Sequence, residues 1–216
     1  MKPDGIIFDL DGTLWDSCRV VAESWADTLR RHYGAERVPS AEDARSIMGL
    51  TAEGIARRCF SQYGQRAMEV CLKCLEEENA YIARQSGDVY PGVEAMLQEL
   101  SAKYPLFIVS NCQDGYIQCF FKATAFGKYF KDIECEGSSG MGKADNIRLI
   151  CERNGLEAPL YIGDTAGDEK SAREAGCCFV HAAYGFGKAE SPDAVLTSPC
   201  EFAALIRGME EEKDNV

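Results

Sequence analysis

Four short apolar runs, each ending in polar or acidic residues, constrain this chain more than any other feature. They are Gly5-Ile6-Ile7-Phe8-Asp9-Leu10, Leu106-Phe107-Ile108-Val109-Ser110-Asn111, Leu160-Tyr161-Ile162-Gly163-Asp164 and Cys177-Cys178-Phe179-Val180-His181, with Asp132-Ile133-Glu134-Cys135 as a weaker fifth. Runs this short, apolar throughout and without polar alternation, read as strands buried on both faces. Helical periodicity occupies Val93 to Lys103, Gln113 to Ala125, Lys143 to Asn154 and Asp168 to Ala175, the last two stopped by Gly155 and Gly176. Strand and helix in alternation predict an α/β fold, a Rossmann-like parallel sheet covered on both sides.

The alternation is interrupted once. Between Asp16 and Asp88 the pattern is helical, over Val20 to Arg31, Ala52 to Tyr63 and Ala67 to Arg84, and it closes at the turn signal Val89-Tyr90-Pro91-Gly92. The simplest organisation is a core formed by 1–15 and 89–216 with a helical insertion, 16–88, after the first strand. Asp16 to Arg19 and Ser86-Gly87-Asp88 are then the expected hinges, with Gly87 the more pliable. The acidic end, Glu210 to Val216, is expected to fray.

Charge and composition remove several classes of function. The chain has 216 residues, with 23 Lys+Arg against 35 Asp+Glu and a net charge of −12. No basic field exists to displace counterions, so no nucleic-acid partner is expected. No apolar run approaches the roughly 20 residues of a membrane span, and no secretory leader is evident, so no membrane partner and a cytoplasmic location are expected. Nothing requires more than a monomer. The 11 cysteines are scattered and odd in number, and the pair Cys71 and Cys74 lies in a helical run, so they read as structural thiols. Two histidines, His32 and His181, leave little room for a histidine-based hydrolase.

In an open parallel sheet the carboxyl ends of the strands line one crevice. That rule gathers Asp9, Asp11 and Thr13 with Ser110, Asn111, Asp164 and Asp168, and Lys143 at the start of a helix. Carboxylates converging this way repel one another unless a cation lies between them, and an all-oxygen donor set selects a hard ion, Mg²⁺. Carboxylates, a hydroxyl, a lysine and Mg²⁺ suit a phosphoryl group, with one carboxylate attacking in line. Gly12 lets the loop backbone approach the phosphate.

The same residues resemble the signature of the haloacid dehalogenase superfamily. Asp9-Leu10-Asp11-Gly12-Thr13 is similar to its first motif, Ser110-Asn111 to its second, Lys143 to its third and Gly163-Asp164-Thr165-Ala166-Gly167-Asp168 to its fourth, in the family's order. The resemblance implies a phosphatase in which Asp9 is the nucleophile and forms an aspartyl-phosphate, and Asp11 is the general acid and base. Mg²⁺ would be held by Asp9, the Asp11 backbone carbonyl and Asp164, with Asp168 behind them orienting waters or Lys143. Ser110 and Lys143 would grip the phosphoryl oxygens, Asn111 would support that loop, and Thr13 would position the Asp9 side. An aspartate at Asp11 argues for a phosphate ester, since a halide or phosphonate leaving group needs no such acid.

The helical insertion resembles the cap of the phosphoglycolate phosphatase and β-phosphoglucomutase relatives, which implies a small phosphorylated metabolite as substrate. Tyr184-Gly185-Phe186-Gly187 resembles a loop of the former branch. Among the cap arginines, Arg19, Arg45, Arg57 and Arg58 could reach an anionic substrate, Arg45 being the preferred candidate. Trp15 and Trp25 read as packing. Rival readings are a phosphomutase using the same covalent step, and a phosphate-ligand-binding protein without catalysis. A two-component receiver is disfavoured by the cap and by Asp11.

Overall fold

The apolar runs assemble into a parallel sheet. In the computed structural model, which describes residues 2–211, the chain begins with β1 (Gly5–Phe8) and the two-residue β2 (Trp15–Asp16). It then passes through α1 (Cys18–Tyr33), α2 (Ala41–Arg45), α3 (Ala52–Cys59), a tight turn of helix at Ser61–Arg66 and α4 (Ala67–Ile82). It returns through β3 (Asp88–Val89) to α5 (Val93–Ser101), β4 (Leu106–Ser110), α6 (Tyr116–Thr124), β5 (Phe130–Cys135), α7 (Glu136–Ser139) and α8 (Lys143–Asn154). The last elements are β6 (Pro159–Gly163), α9 (Ala166–Glu174), β7 (Cys178–Ala182), β8 (Ala194–Leu196) and α10 (Phe202–Glu211).

The sheet order is β5-β4-β1-β6-β7-β8, with every neighbouring pair parallel. The chain builds outward from β1 to β5 on one side, then crosses back to build β6 to β8 on the other. The strand order therefore reverses between β1 and β6, the switch point at which such sheets open a crevice. Both faces are covered, which is why the strand sequences are apolar without alternation. Ile6, Phe8, Ile108 and Val180 face one buried cluster, shared with Leu97 and Phe202; Ile7, Phe107, Tyr161 and Phe179 face the other, shared with Ile147 and Ala172.

Some elements lie outside the sequence expectations. β8 is an edge strand of three residues, too short to show a period. The two crossings to the helical insertion are paired with each other, Trp15 against Val89 and Asp16 against Asp88, as an antiparallel ribbon. At Gly87 a Cβ would lie 2.9 Å from the Trp15 ring, so this glycine serves close packing. The helix expected over Ala52 to Tyr63 ends at Cys59, and the one expected from Gln113 begins at Tyr116, after Gly115 with φ of 83°. α10 runs through Glu211, and 212–216, the rest of the end expected to fray, lies outside the described residues.

Helices α1 to α4 pack on one another around Trp25, whose ring lies 5.4 Å from that of Phe60, and their buried residues continue into the cluster that covers one face of the sheet. Cys71 and Cys74 are buried within it, and all eleven cysteines are free thiols. Among the described residues no helix is long and apolar enough to cross a membrane.

Candidate active site

The site is built at the switch point. Asp9 directly follows β1, and its backbone N–H donates to Ile162 O of β6 at 2.8 Å, which fixes the residue between the two strand ends. Lys143, the first residue of α8, reaches across to donate to Asp9 Oδ1 at 2.7 Å and to Asp168 Oδ1 at 2.6 Å. All three side chains are buried. Burial pushes the Asp9 carboxyl well above its ordinary range, with Asp168 and Asp164 adding to the rise and Lys143 opposing it. Burial acts the same way on Asp168, but the charge of Lys143 and the bonds from Lys143 and Thr165 outweigh it and hold that carboxyl low. Asp168 is saturated, since its Oδ2 also accepts from the Thr165 backbone N–H at 3.0 Å and hydroxyl at 2.6 Å in a capping box that starts α9.

Asp164, after β6, completes a group in which Asp9, Asp164 and Asp168 each offer a carboxylate oxygen within 4.8 Å of the others. Its Oδ2 accepts from the backbone N–H of Phe186 at 2.7 Å and of Gly187 at 3.3 Å, while Oδ1 is buried with no hydrogen-bond partner among the described residues. Burial, then Asp168, raises this carboxyl to about 7. An orphaned carboxylate oxygen facing two further acids, with one lysine to balance them, fits a divalent cation bound by oxygen. Among the described residues no cysteine or histidine joins the group.

The Tyr184-Gly185-Phe186-Gly187 loop thus holds Asp164 through its backbone, a role that the side-chain motifs do not announce. Tyr184 also donates to Thr13 O at 2.9 Å, clamping the loop after β1. Gly12, with φ of 87°, approaches the Asp164 carboxylate so closely that a Cβ would lie 2.3 Å from Oδ2. At Gly185 a Cβ would lie 2.3 Å from Gly12 O and 2.4 Å from Asp164 Cβ. Gly185→Ala is therefore expected to destabilise the fold by about 2 kcal/mol through overpacking. Gly208→Ala, in α10 with open space around it, should be neutral or slightly stabilising. Thermal denaturation of the two variants checks the contrast.

Asp11 is not a member of the three-acid group. Its Oδ1 accepts from Trp15 Nε1 at 2.9 Å, Ser17 Oγ at 2.5 Å and Tyr116 Oη at 2.9 Å. Burial raises its pKa against those three bonds. The Asp11 carboxylate is thus absent from the acid cluster, where the resemblance implied only its backbone carbonyl, and Asp168, implied to stand behind the metal, has an oxygen inside it.

The remaining expected residues divide. Ser110 is buried at the end of β4 and lines the same cavity as Asp9 and Asp11, of about 510 Å³. Thr13 is buried with its hydroxyl unpartnered. Asn111 Nδ2 donates to Gly49 O at 2.8 Å, tying β4 to the helical unit and not to its own loop. Arg45 lies outside the cavity lining: its guanidinium meets Asp16 Oδ2 at 2.5 Å and lies 4.8 Å from the Phe186 ring centre, joining α2 to the core. Arg19 and Arg57 pair with Glu23 and Glu53 on the surface. Trp15 and Trp25 are buried packing residues as expected, but both also donate their indole N–H to an acid, Trp15 to Asp11 and Trp25 to Glu78. Glu78, buried in the cavity wall, was not foreseen, nor was its partner Gln113.

Comparison with known proteins agrees with this geometry. The family model of haloacid dehalogenase-like hydrolases matches residues 6–182. A phosphoglycolate phosphatase of Photobacterium profundum is 30% identical over 218 residues, covering 93% of each chain. A haloacid dehalogenase-like family hydrolase of Streptococcus pneumoniae has a TM-score of 0.81 at 28% identity, covering 94% of this chain and 98% of its own. CbbY of Rhodobacter sphaeroides, in complex with xylulose-(1,5)bisphosphate, shares the fold, with a TM-score of 0.76 at 18% identity over 92% of this chain and 96% of its own. Because the family match runs from β1 to β7 and takes in Asp9, Lys143 and Asp164 in their observed places, the chain belongs to the haloacid dehalogenase-like hydrolase family.

Proposed function

We propose that this chain is a Mg²⁺-dependent phosphatase that hydrolyses a small phosphomonoester through an aspartyl-phosphate on Asp9. The core, 1–15 and 89–216, carries the chemistry, and the helical unit, 16–88, is a cap that closes over it. The observation that supports this most directly is the buried chain Asp9–Lys143–Asp168, with bonds of 2.7 and 2.6 Å at the strand ends. It fixes a nucleophile beside a cation whose orientation is set from behind.

Asp9 attacks phosphorus in line; the bond to the ester oxygen breaks as the bond to the Asp9 carboxylate forms. Asp11 gives its proton to the departing alkoxide. All three donors address its Oδ1, which leaves Oδ2 to carry that proton, and burial keeps it bound until the leaving group needs it. In the second step water attacks phosphorus, Asp11 takes a proton from it, and the Asp9–phosphorus bond breaks to release inorganic phosphate. Lys143 and Ser110 hold the phosphoryl oxygens. Mg²⁺, held by Asp9, Asp164 and the Asp11 backbone carbonyl, would supply positive charge to the phosphoryl oxygens. Asp168 keeps Lys143 in place.

The cap contributes by excluding water. It already meets the core around the site through Asn111 to Gly49, Arg45 over the Phe186 ring, and Asn79 Nδ2 to Asp114 O at 2.8 Å. The phosphorylated ligand bound to CbbY fits a phosphorylated metabolite as the substrate class.

Phosphate release from a panel of small phosphomonoesters is the test. Release is expected with Mg²⁺ and is expected to fall at least about 100-fold when EDTA removes it, then recover on adding Mg²⁺ back. Release unaffected by EDTA would overturn the metal dependence. Isomerisation of a sugar phosphate without release would favour the mutase.

A further inference from the structure

The cavity over Asp9 holds about 510 Å³, and the charges around it run one way. Beyond Asp9 and Asp11, its charged lining residues are Glu76, Glu78, Asp114 and Glu136; among the described residues that line it there is no lysine, arginine or histidine. Apolar surface comes from Met48, Ile55 and Leu72 of the helical unit. Lys143, which touches the nucleophile, is shared between Asp9 and Asp168, and Arg45 is paired with Asp16. Neither cation is left to meet a second negative charge on a substrate.

Glu78 lines the same cavity as Asp9 and Asp11. It is 3% exposed, and its two oxygens accept from Gln113 Nε2 at 2.8 Å and from Trp25 Nε1, so it is held rigidly against the cavity. The surroundings already resist negative charge: burial, with Asp11 adding to it, pushes the Glu78 carboxyl up to about 8. A carboxylate on the substrate would be buried against this wall with no counter-charge, an arrangement that strongly disfavours binding.

Resting on the phosphatase reading, we infer that the leaving alcohol carries no negative charge, the cation-free cavity wall selecting esters of uncharged alcohols and rejecting phosphoglycolate. The compound in the name of the Photobacterium profundum relative is then a poor substrate for this chain.

Phosphoglycolate and hydroxyethyl phosphate, which differ only by a carboxylate in place of a hydroxymethyl group, form the decisive pair. The kcat/KM for phosphoglycolate is expected to be at least about 100-fold lower, the size of burying one carboxylate without a counter-charge. Leu72→Arg, at a position 52% exposed on the cavity wall, supplies the missing cation and should narrow that ratio at least about tenfold, mainly through the KM for phosphoglycolate. Glu78→Gln replaces a carboxyl that burial keeps protonated by a neutral amide and should leave the ratio unchanged at neutral pH, so the exposed Leu72→Arg carries the test. Release from p-nitrophenyl phosphate reports separately whether the phosphatase reading holds. Turnover of that reporter with phosphoglycolate equal to or better than hydroxyethyl phosphate would overturn the inference and leave the phosphatase standing. A ratio unmoved by Leu72→Arg would overturn its electrostatic basis. Absence of release from every ester, the reporter included, would overturn both.

Discussion

Asp9→Asn is expected to lower phosphate release at least about 10⁴-fold while leaving the protein no less stable, a combination that a binding protein would not show. The loss follows from chemistry: an amide oxygen cannot form the acyl phosphate, and nothing else beside Lys143 presents an unshared carboxylate. Asp168 is saturated by Lys143 and Thr165, and one oxygen of Asp164 is taken up by the Phe186 and Gly187 amides. The retained stability follows from electrostatics. Burial and the two neighbouring acids already raise the Asp9 carboxyl, so a neutral isostere relieves repulsion, and its oxygen still accepts from Lys143. Phosphate release and melting temperature, both measured on the same preparation, check the two halves. Unchanged release would place the nucleophile elsewhere, and a large drop in melting temperature would mean that Asp9 is chiefly a structural partner of Lys143.

What the sequence made legible here was the part written in side chains at strand ends. Asp9, Ser110 and Asp164 follow or close β1, β4 and β6, so a short apolar run stopping at a polar residue both marked the strand and located the site. Lys143 was legible as a helix start, though nothing but its place in the family's motif order distinguished it from a solvated lysine. The parts missed are those carried by the backbone or by one residue's phase. The amides of Phe186 and Gly187 that hold Asp164 leave no side-chain trace, and the two glycines flanking Phe186 were the available sign. β2 and β3, two residues each, are too short for any period, so a paired ribbon looked like two free hinges.

Arg45 looked available because its sequence neighbourhood could not reveal Asp16 and Phe186 as its partners. Glu78 was hidden inside the run Glu76-Glu77-Glu78, which reads as surface charge. Phase separates the three: Cys71, Leu75, Glu78 and Ile82 recur at helical spacing and are all buried, whereas Glu77 pairs with Arg31 at the surface.

That burial gives the second large effect, on stability against pH. Glu78 titrates near 8 in the folded chain and near its ordinary 4.5 when unfolded, so between those values the folded state holds a proton that the unfolded state has released. Stability contributed by Glu78 is therefore complete below about pH 4.5 and is lost as pH rises through 8, by a total on the order of 4 kcal/mol. In Glu78→Gln this titration is gone, but the amide offers one acceptor where Trp25 and Gln113 require two, which costs about 1 kcal/mol at every pH. The two denaturation curves are thus expected to cross: the variant is the less stable protein at pH 4 and the more stable at pH 9. Urea unfolding at both values reads the crossing, and the difference between the two proteins cancels every other titrating group. A constant difference across that range would mean that Glu78 is ionised in the folded state, balanced by a charge or water that reaches the cavity wall. The curves also bear on the chemistry, because a wall that keeps its own carboxyl protonated at neutral pH is one in which Asp11 can hold a proton for the leaving group.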